Sequence, residues 1–333
     1  MKKWLKWEFW PFWLFYTPVY FQYLWLSTKA QSFVFFSASN PGMKLGGFSA
    51  YSKCDILHKI PSAYIPKTIL ISESDKGQQK NKLNMPGINF PFIAKPDFGE
   101  RGFGVSLIND QKDLQEYLTE SKGNIIFQEF IDYPLELGVM YHRYPNAKKG
   151  KITSIVIKEF LTVFGDGTST LLSLLEKGER TNYHLKTLKK NLRQDLNTIL
   201  NKGEKIQVQN IGNHCLGTTF LNGNHLITEK LEKTFDKIAL QTEGFYFGRF
   251  DVRVPTIKDL HEGKNIKIME LNGANSEPAH MYDPNTSLVD AYKAIFKHWN
   301  ILFDISTANH KEGIKYDSFF YTLKEIKSYF RNR

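Results

Sequence analysis

Charged and apolar positions alternate through "FYFGRFDVRV" (residues 245–254). Arg249, Asp251 and Arg253 share one parity, whereas Phe250 and Val252 share the other. Successive side chains of a strand point to opposite faces of its sheet. The stretch therefore predicts a strand with one apolar face that packs on a core and one charged face that pairs with charges or binds a ligand.

A second alternating stretch, "NIKIMELNG" (265–273), follows after a polar segment that we expect to be a loop. Parity places Ile268, Glu270 and Asn272 on one face. Because the connection is loop-like, the two strands are predicted to pair antiparallel. The pairing would set Asp251 opposite Glu270 and Asn272.

The rest of the pattern predicts an α+β order with antiparallel strand pairs, not a regular succession of βαβ units. Ser, Thr or Asp stands where most helices would begin, and Gly stands where several would end. Residues 72–87 are polar and predict an exposed loop. The pattern predicts strands over 90–96, 102–108, 124–131, 136–145 and 151–160, and helices over 49–60, 110–123, 168–178, 228–244 and 286–303.

The first 36 residues are rich in aromatic side chains, and no charge occurs from Phe9 to Leu26. Pro11 and Pro18 interrupt this run, and Trp and Tyr, which favour the headgroup region of a bilayer, are frequent. Four interpretations stay open: a segment lying on a membrane surface, aromatics packed on the protein's own core or on a dimer partner, a signal peptide, and a membrane span. The first predicts peripheral contact of residues 1–26 with the inner face of the membrane.

Composition narrows the class of protein. With 333 residues, 41% hydrophobic and 23% charged, the chain is typical of a globular protein of two or three lobes. Its two cysteines have no metal-ligand spacing and suit a reducing, cytoplasmic compartment. The formal net charge is +10, but no nucleic-acid-binding motif accompanies it. We therefore expect no nucleic-acid partner, because binding of a nucleotide or of an anionic membrane accounts for the positive net charge equally well.

The two charged strands carry the donor atoms of a divalent-cation site. Asp251, Glu270 and Asn272 offer two carboxylates and an amide oxygen, which are the hard ligands that Mg²⁺ takes when phosphates complete its shell. Arg249 and Arg253 beside them suit a phosphoryl group or an oxyanion. A salt-bridge ladder on an exposed sheet face is the alternative.

A glycine-rich turn precedes these strands. In "FIAKPDFGERGFGV" (92–105), Lys95 ends a strand, and Gly99, Gly102 and Gly104 allow backbone N–H groups to approach phosphate oxygens. The turn is not a Walker A motif, and an ordinary hairpin is the alternative. Farther along, an apolar strand runs into a polar linker with Glu136, a carboxylate suited to a ribose.

The order of these features resembles the ATP-grasp superfamily over roughly residues 49–284, most closely the D-alanine–D-alanine ligases and cyanophycin synthetases. The resemblance implies an ATP-grasp fold, in which two α+β lobes with antiparallel sheets grip ATP, with a truncated N-terminal region. It divides the chain into an aromatic segment (1–36), a short N-terminal region with the first lysine helix (37–66), a small lobe (67–135) and a large lobe with the metal and substrate site (136–333).

The resemblance also implies roles for individual residues. Arg249 and Lys95 would be catalytic, and Asp251, Glu270 and Asn272 would bind metal. Substrate contacts stay open against structural roles, with His214 a candidate general base and His280 a further candidate. The implied ATP-binding residues are Lys53, Lys95, Gly99, Gly102, Gly104, Gln128, Glu129, Phe130, Ile131, Glu136 and Lys158, and the substrate candidates are Arg143, Asn213, His214, Thr218, Arg253 and Glu277.

The implied activity is ATP-dependent ligation of a carboxylate to an amine through an acyl phosphate. ATP and Mg²⁺, with two ions and Mn²⁺ as a substitute, would be the cofactors, and an oligomer is compatible with the sequence. The aromatic N-terminus adds the hypothesis of an amphiphilic substrate taken at the membrane. Two alternatives remain: an ATP-grasp kinase of a small molecule, and a nucleotide-binding membrane scaffold without activity.

Overall fold

The computed structural model describes residues 7–76, 87–99, 102–183, 185–192, 195–208, 212 and 217–331. The strands are β1 (Thr68–Ile71), β2 (Phe92–Pro96), β3 (Ser106–Ile108), β4 (Ile125–Glu129), β5 (Leu135–His142), β6 (Lys151–Glu159), β7 (Thr162–Phe164), β8 (Lys205–Gln207), β9 (Thr219–Asn222), β10 (Phe247–Val254) and β11 (Lys267–Asn272). The α-helices are α1 (Phe12–Ala30), α2 (Lys53–His58), α3 (Gln111–Glu120), α4 (Leu171–Lys177), α5 (Glu179–Tyr183), α6 (Leu185–Asn191), α7 (Glu229–Gln241), α8 (Ile257–Glu262), α9 (Leu288–Lys311) and α10 (Phe319–Arg331). Short 3-10 helices occupy Trp7–Phe9, Phe35–Ala38, Lys44–Gly47, Ser62–Tyr64, Glu73–Asp75, Asn224–Leu226 and Ala279–Tyr282.

The strands form two main antiparallel sheets. The four-stranded sheet has the order β1-β4-β2-β3, and the five-stranded sheet has the order β11-β10-β5-β6-β9. Strands β7 and β8 form a separate antiparallel pair. Neighbouring strands pair antiparallel in both main sheets. The predicted α+β class with antiparallel sheets is therefore confirmed.

Helix starts follow local capping chemistry. The side chains of Asp110, Thr170, Thr228 and Ser287 each accept a hydrogen bond from the backbone N–H three residues later. These bonds satisfy N–H groups that have no partner inside the helix. Four predicted helices therefore begin where the sequence places their caps.

Several predicted elements differ from the structure. The helix predicted over 49–60 begins only at Lys53, because Ala50 has a φ of 54° and cannot belong to a right-handed helix. The strand predicted over 102–108 is limited to β3. The predicted loop between β10 and β11 contains α8, which Thr256 caps through a hydrogen bond from the Asp259 N–H. Residues 77–86 of the predicted loop 72–87 lie outside the described residues.

The apolar face of β10 packs on α7 and β5. The Phe250 ring lies 5.3 Å from the Phe235 ring and 5.1 Å from the Phe245 ring, both edge to face. All three rings are fully buried, together with Tyr141 of β5. Because this face is committed to the core, Arg249, Asp251 and Arg253 on the other face are turned toward the cleft between the two main sheets.

Helix α1 continues through Pro18, which was predicted to interrupt it, and begins after Pro11. Phe15, Val19 and Leu26 are buried, and α1 packs against α9, whose Tyr292 hydroxyl donates to the Phe15 carbonyl at 3.0 Å. One face of the aromatic segment thus packs on the protein's own core, as one of the four interpretations predicted. No helix among the described residues is long and apolar enough to cross a bilayer.

The segment after α1 is tied to the start of β10. The Asn40 side-chain oxygen accepts from the N–H groups of Tyr246 and Phe247 at 2.8 and 2.9 Å, and its amide donates to the Phe247 carbonyl at 2.8 Å. At the end of β11, a Cβ on Gly47 would lie 2.7 Å from the Gly273 Cα, so this approach requires glycine. These contacts bring the residues before α2 to the charged face of the sheet.

Candidate nucleotide and metal site

Strands β10 and β11 pair antiparallel, as predicted, with Arg249 opposite Asn272 and Asp251 opposite Glu270. A β-bulge follows Asp251, and Val252 pairs with Ile268. The bulge reverses the parity of β11, so Ile268 is buried in the core and does not share a face with Glu270. The parity prediction is therefore wrong for Ile268. The Met269 carbonyl at the bulge accepts a hydrogen bond from the Lys95 Nζ at 3.1 Å.

Arg249 and Asp251 form a two-bond ion pair on β10. The Arg249 Nε donates to the Asp251 Oδ1 at 2.8 Å, and its Nη2 donates to Oδ2 at 3.2 Å. The Lys158 Nζ lies 3.6 Å from the Asp251 Oδ2. Burial would raise the pKa of Asp251, but the Arg249 and Lys158 charges outweigh it and hold this pKa below its usual value. Asp251 is therefore ionised, and Arg249 engages both of its carboxylate oxygens.

Gly138 makes room for this pair. It lies on β5 opposite Asp251, and a Cβ there would stand 3.0 Å from the Arg249 Cδ and 2.8 Å from the Val156 Cγ1. Both distances are shorter than ordinary van der Waals contact. Because Gly138 has no side chain, the Arg249 side chain has room to reach Asp251 on the same strand.

A second charged row crosses three strands of the same sheet. The Glu136 Oε1 accepts from the Lys158 Nζ at 3.0 Å, and its Oε2 accepts from the Arg253 Nε at 3.0 Å. Arg253 also donates to the Ile131 carbonyl at 2.7 Å. Arg253 therefore forms an ion pair, which was the structural alternative to a substrate contact. The two ion pairs hold Glu136 in place on the lining of the cleft.

Two lysines face this sheet from the other side of the cleft. Lys95 is buried, and its Nζ donates to the Gln128 Oε1 at 3.0 Å. Burial lowers the pKa of Lys95 to about 8, although the Glu270 charge acts in the opposite direction. Lys53 donates to the Gly99 carbonyl. Both cations line the cleft that Asp251 and Glu270 also line.

Asp97, which sequence analysis missed, fixes the position of Lys53. Its Oδ1 accepts from the Ser52 hydroxyl at 2.9 Å and from the Cys54 N–H at 3.0 Å. These bonds attach the start of α2 to the turn after β2, so the two lysines approach each other. Asp97 lies two residues after Lys95, and this closeness to a predicted site residue was the sequence signal that could have identified it.

Two further residues that sequence analysis missed orient the metal-site side chains. The Tyr51 hydroxyl donates to the Asn272 Oδ1 at 3.1 Å, and the Asn272 Nδ2 lies 3.5 Å from the Asp251 Oδ2. The Ser276 hydroxyl donates to the Asn272 carbonyl at 2.7 Å and accepts from the Arg249 N–H at 3.2 Å. Nothing in a single strand pattern distinguishes these residues, because they lie on loops.

The donor set fits Mg²⁺ with nucleotide as co-ligand. Among the described residues, no three His, Cys, Asp or Glu side chains are grouped as a metal site by themselves. Asp251 and Glu270 supply two carboxylates, and Asn272 supplies an amide oxygen. A cation that keeps several waters or phosphate oxygens in its shell needs only one or two carboxylates from the protein. These three side chains are therefore the residues that would hold it.

The structure brings most of the predicted site residues to one cleft of about 3360 Å³. The predicted residues that line it are Lys53, Lys95, Gly99, Gly102, Gly104, Gln128, Phe130, Ile131, Glu136, Lys158, Arg249, Asp251, Arg253, Glu270, Asn272 and Glu277. Burial raises the pKa of Glu277 to about 7, and Tyr282 donates to it at 2.8 Å. Glu277 is thus poised to accept a proton near neutral pH.

Other predicted residues lie elsewhere or are not described. The Arg143 Nη1 donates to the Ala147 carbonyl at 3.2 Å, and the guanidinium covers the Tyr246 ring, away from the cleft lining. Thr218 is fully buried, and the Glu129 carboxylate accepts from a backbone N–H at 3.1 Å outside the cleft.

Asn213 and His214 lie outside the described residues. His280 shares a 2.6 Å hydrogen bond with Ser154.

Comparison with known proteins gives one family match. Residues 40–137 match the family model of the RimK-like ATP-grasp domain, which confirms the resemblance to the ATP-grasp superfamily. The matched part contains both lysines and the glycine-rich turn. No curated protein matches the chain.

Several solved structures are similar to the chain. A D-alanine–D-alanine ligase from Bacillus anthracis is 15% identical, with 81% of this chain and 72% of that chain covered and a TM-score of 0.44. The VanG D-Ala:D-Ser ligase from Enterococcus faecalis is 13% identical (80% and 64% covered, TM-score 0.43). A bifunctional glutathione synthetase from Pasteurella multocida is 13% identical (74% and 36% covered, TM-score 0.36). Likenesses at this level do not identify a substrate.

Proposed function

We propose that this chain is a Mg²⁺- and ATP-dependent ligase that joins a carboxylate to an amine through an acyl phosphate. The observation that carries the proposal is the opposition of charges across one cleft. Lys53 and Lys95 line the cleft, and Asp251 and Glu270 lie opposite each other on two paired strands. A nucleoside triphosphate bound to Mg²⁺ needs cations for its phosphates and carboxylates for its metal ion. The RimK-like ATP-grasp match over residues 40–137 adds support.

The proposed reaction has two steps. A substrate carboxylate oxygen attacks the γ-phosphorus of ATP, the bond to the bridging oxygen breaks, and ADP leaves. The amine nitrogen then attacks the acyl carbon, phosphate leaves with the electron pair of the broken C–O bond, and the nitrogen loses a proton. Glu277 lies on the cleft wall and is the group that we propose to accept this proton.

The residues of the chain supply binding and charge stabilisation in both steps. Bound at Asp251, Glu270 and Asn272, magnesium would neutralise part of the phosphate charge. Lys95 and Lys53 would hold the phosphate oxygens. Arg249 lies beside the metal ligands, and we propose that it stabilises the charge on the transferring phosphoryl group.

Replacement of Arg249 tests this function. A cation that contacts a transferring phosphoryl group contributes about 10³-fold or more to the rate. We expect Arg249→Ala to lower single-turnover ADP release by at least that factor, while the Kd for MgATP changes less than about tenfold. Lys148→Ala, which removes an exposed cation, is the matched control. ADP release at the wild-type rate in Arg249→Ala would contradict the proposed role.

The reaction product distinguishes a ligase from the two alternatives, a kinase and a scaffold without activity. Pools of amino acids, fatty acids and amino-lipid acids would be screened as substrates, and the products would be detected by mass spectrometry. A ligase yields an amide only when an amine is present. A stable phosphorylated product without an amine would indicate a kinase, and no Mg²⁺-dependent ATP turnover with any pool would indicate a scaffold without activity.

We further propose that the substrate is amphiphilic and is taken at the inner, cytoplasmic face of a membrane. The support is the outer face of α1, where Trp13, Phe21 and Trp25 are 64%, 70% and 56% exposed. Trp rings favour the bilayer interface. Co-sedimentation with lipid vesicles tests this contact.

A further inference from the structure

The cleft of the candidate site continues into an aromatic groove between α1 and α10. We define the groove by the residues that line it from these two helices: Tyr16, Tyr20, Phe319, Leu323, Ile326 and Phe330. The α10 residues recur at helical spacing and present one apolar stripe. None of the residues with which α1 and α10 line the cleft is charged. The residues of the nucleotide site and those of the groove thus line one cleft, the first set largely charged and the second apolar.

Further aromatic side chains line the same cleft, among them Phe33, Phe36 and Phe48. Phe48 lies three residues before the tyrosine that contacts Asn272. The Phe48 ring lies 4.4 Å from the Phe36 ring. Beyond it, the Phe33 ring meets the Phe319 ring of α10 edge to face at 6.3 Å. Aromatic side chains therefore line this cleft together with the residues of the metal site and of the groove.

The groove walls leave apolar surface uncovered. Tyr20 is 49% exposed on α1, and Leu323 and Phe330 are 38% and 59% exposed on α10. Apolar surface exposed to water costs about 25 cal/mol per Å², so an apolar occupant of the groove is stabilised.

We infer that the groove binds the apolar tail of an amphiphilic carboxylate, whose head group reaches the phosphoryl-transfer site. The inference rests on the proposed function for the role of the head group. Lys53, Lys95 and Arg249 line the same cleft, and these cations suit the carboxylate that the proposed function takes as its first substrate. The geometry thus assigns the substrate to the class of long-chain monocarboxylates, such as fatty acids or lipid-linked acids.

Binding of cis-parinaric acid, a fluorescent fatty acid, to the full chain without nucleotide tests the groove. We expect Leu323→Glu and Tyr20→Glu to weaken binding at least about tenfold, because a buried charge beside an alkyl chain is unfavourable. Phe320→Glu and Phe21→Glu are the matched controls, since these residues neighbour the groove residues in sequence, are 80% and 70% exposed, and do not line the cleft. Leu323→Trp keeps the surface apolar but fills the groove, and we expect it to weaken binding too.

Displacement of the probe by a series of fatty acids measures the length of the groove. Each added methylene is expected to tighten binding about fourfold until the groove is full. Equal affinity for hexanoate and palmitate, or equal loss in the groove variants and the two controls, would overturn the inference. Failure of the proposed function gives a different result: chain-length-dependent binding that the groove variants weaken, without ATP-dependent amide formation from any acid.

Discussion

At the scale of single residues, the charge of Lys95 depends on the burial of its side chain. Burial lowers its pKa to about 8, so the free protein carries this charge at pH 7 and loses it above pH 8. Only the charged form attracts phosphate. We therefore expect the Kd for MgATP to rise about tenfold between pH 7 and pH 9, as the protonated fraction of Lys95 falls.

Lys95→Arg separates this effect from other titrations. The guanidinium stays charged throughout the range, so the Kd of the variant should be independent of pH. Calorimetry in two buffers of different ionisation enthalpy measures the protons taken up with MgATP. A wild-type Kd that is constant from pH 7 to pH 9 would show that Lys95 does not govern nucleotide affinity.

At the scale of elements, the site depends on the shape of strand β5 at Gly138. In Gly138→Ala, the new Cβ would lie 3.0 Å from the Arg249 Cδ and 2.8 Å from the Val156 Cγ1. Overpacking of this kind typically costs about 1–3 kcal/mol of unfolding free energy. We expect the variant to unfold at lower denaturant concentration and to lose ADP release, because the Arg249 side chain must move.

A second substitution distinguishes the two contacts. In the double variant Gly138→Ala/Val156→Ala, the methyl contact is relieved, but the Arg249 contact remains. Stability should recover in part, whereas ADP release should stay low. If activity recovers together with stability, Gly138 serves packing alone and does not position Arg249.

The same elements show what the sequence could predict. Charge alternation placed Arg249 and Asp251 on one face of β10, and capping residues located four helix starts, because both depend on local geometry. The bulge that turns Ile268 into the core has no local signature. Contacts such as that of Tyr51 with Asn272 join residues far apart in sequence, and strand periodicity carries no information about them.

At the scale of the whole molecule, the outer face of α1 lies beside, but separate from, the groove. Phe21 and Trp25 do not line the cleft, and the Lys29 Nζ lies 4.5 Å from the centre of the Trp25 ring. Aromatic rings next to a cation suit a bilayer with anionic headgroups. With this face on a membrane, the neighbouring groove would lie close to the bilayer that supplies a carboxylate with an alkyl tail.

We therefore expect the full chain to co-sediment with vesicles that contain anionic lipid, and less with neutral vesicles or at high salt. Removing a buried aromatic side chain loses about 1.5–3 kcal/mol of transfer free energy, so Phe21→Ser and Trp25→Ser should each weaken binding roughly tenfold or more. Leu240→Ser on α7, also an exposed apolar position outside the cleft, should leave binding unchanged. If Phe21→Ser leaves vesicle binding intact but dissociates a dimer in sedimentation velocity, the face contacts a second copy and not lipid.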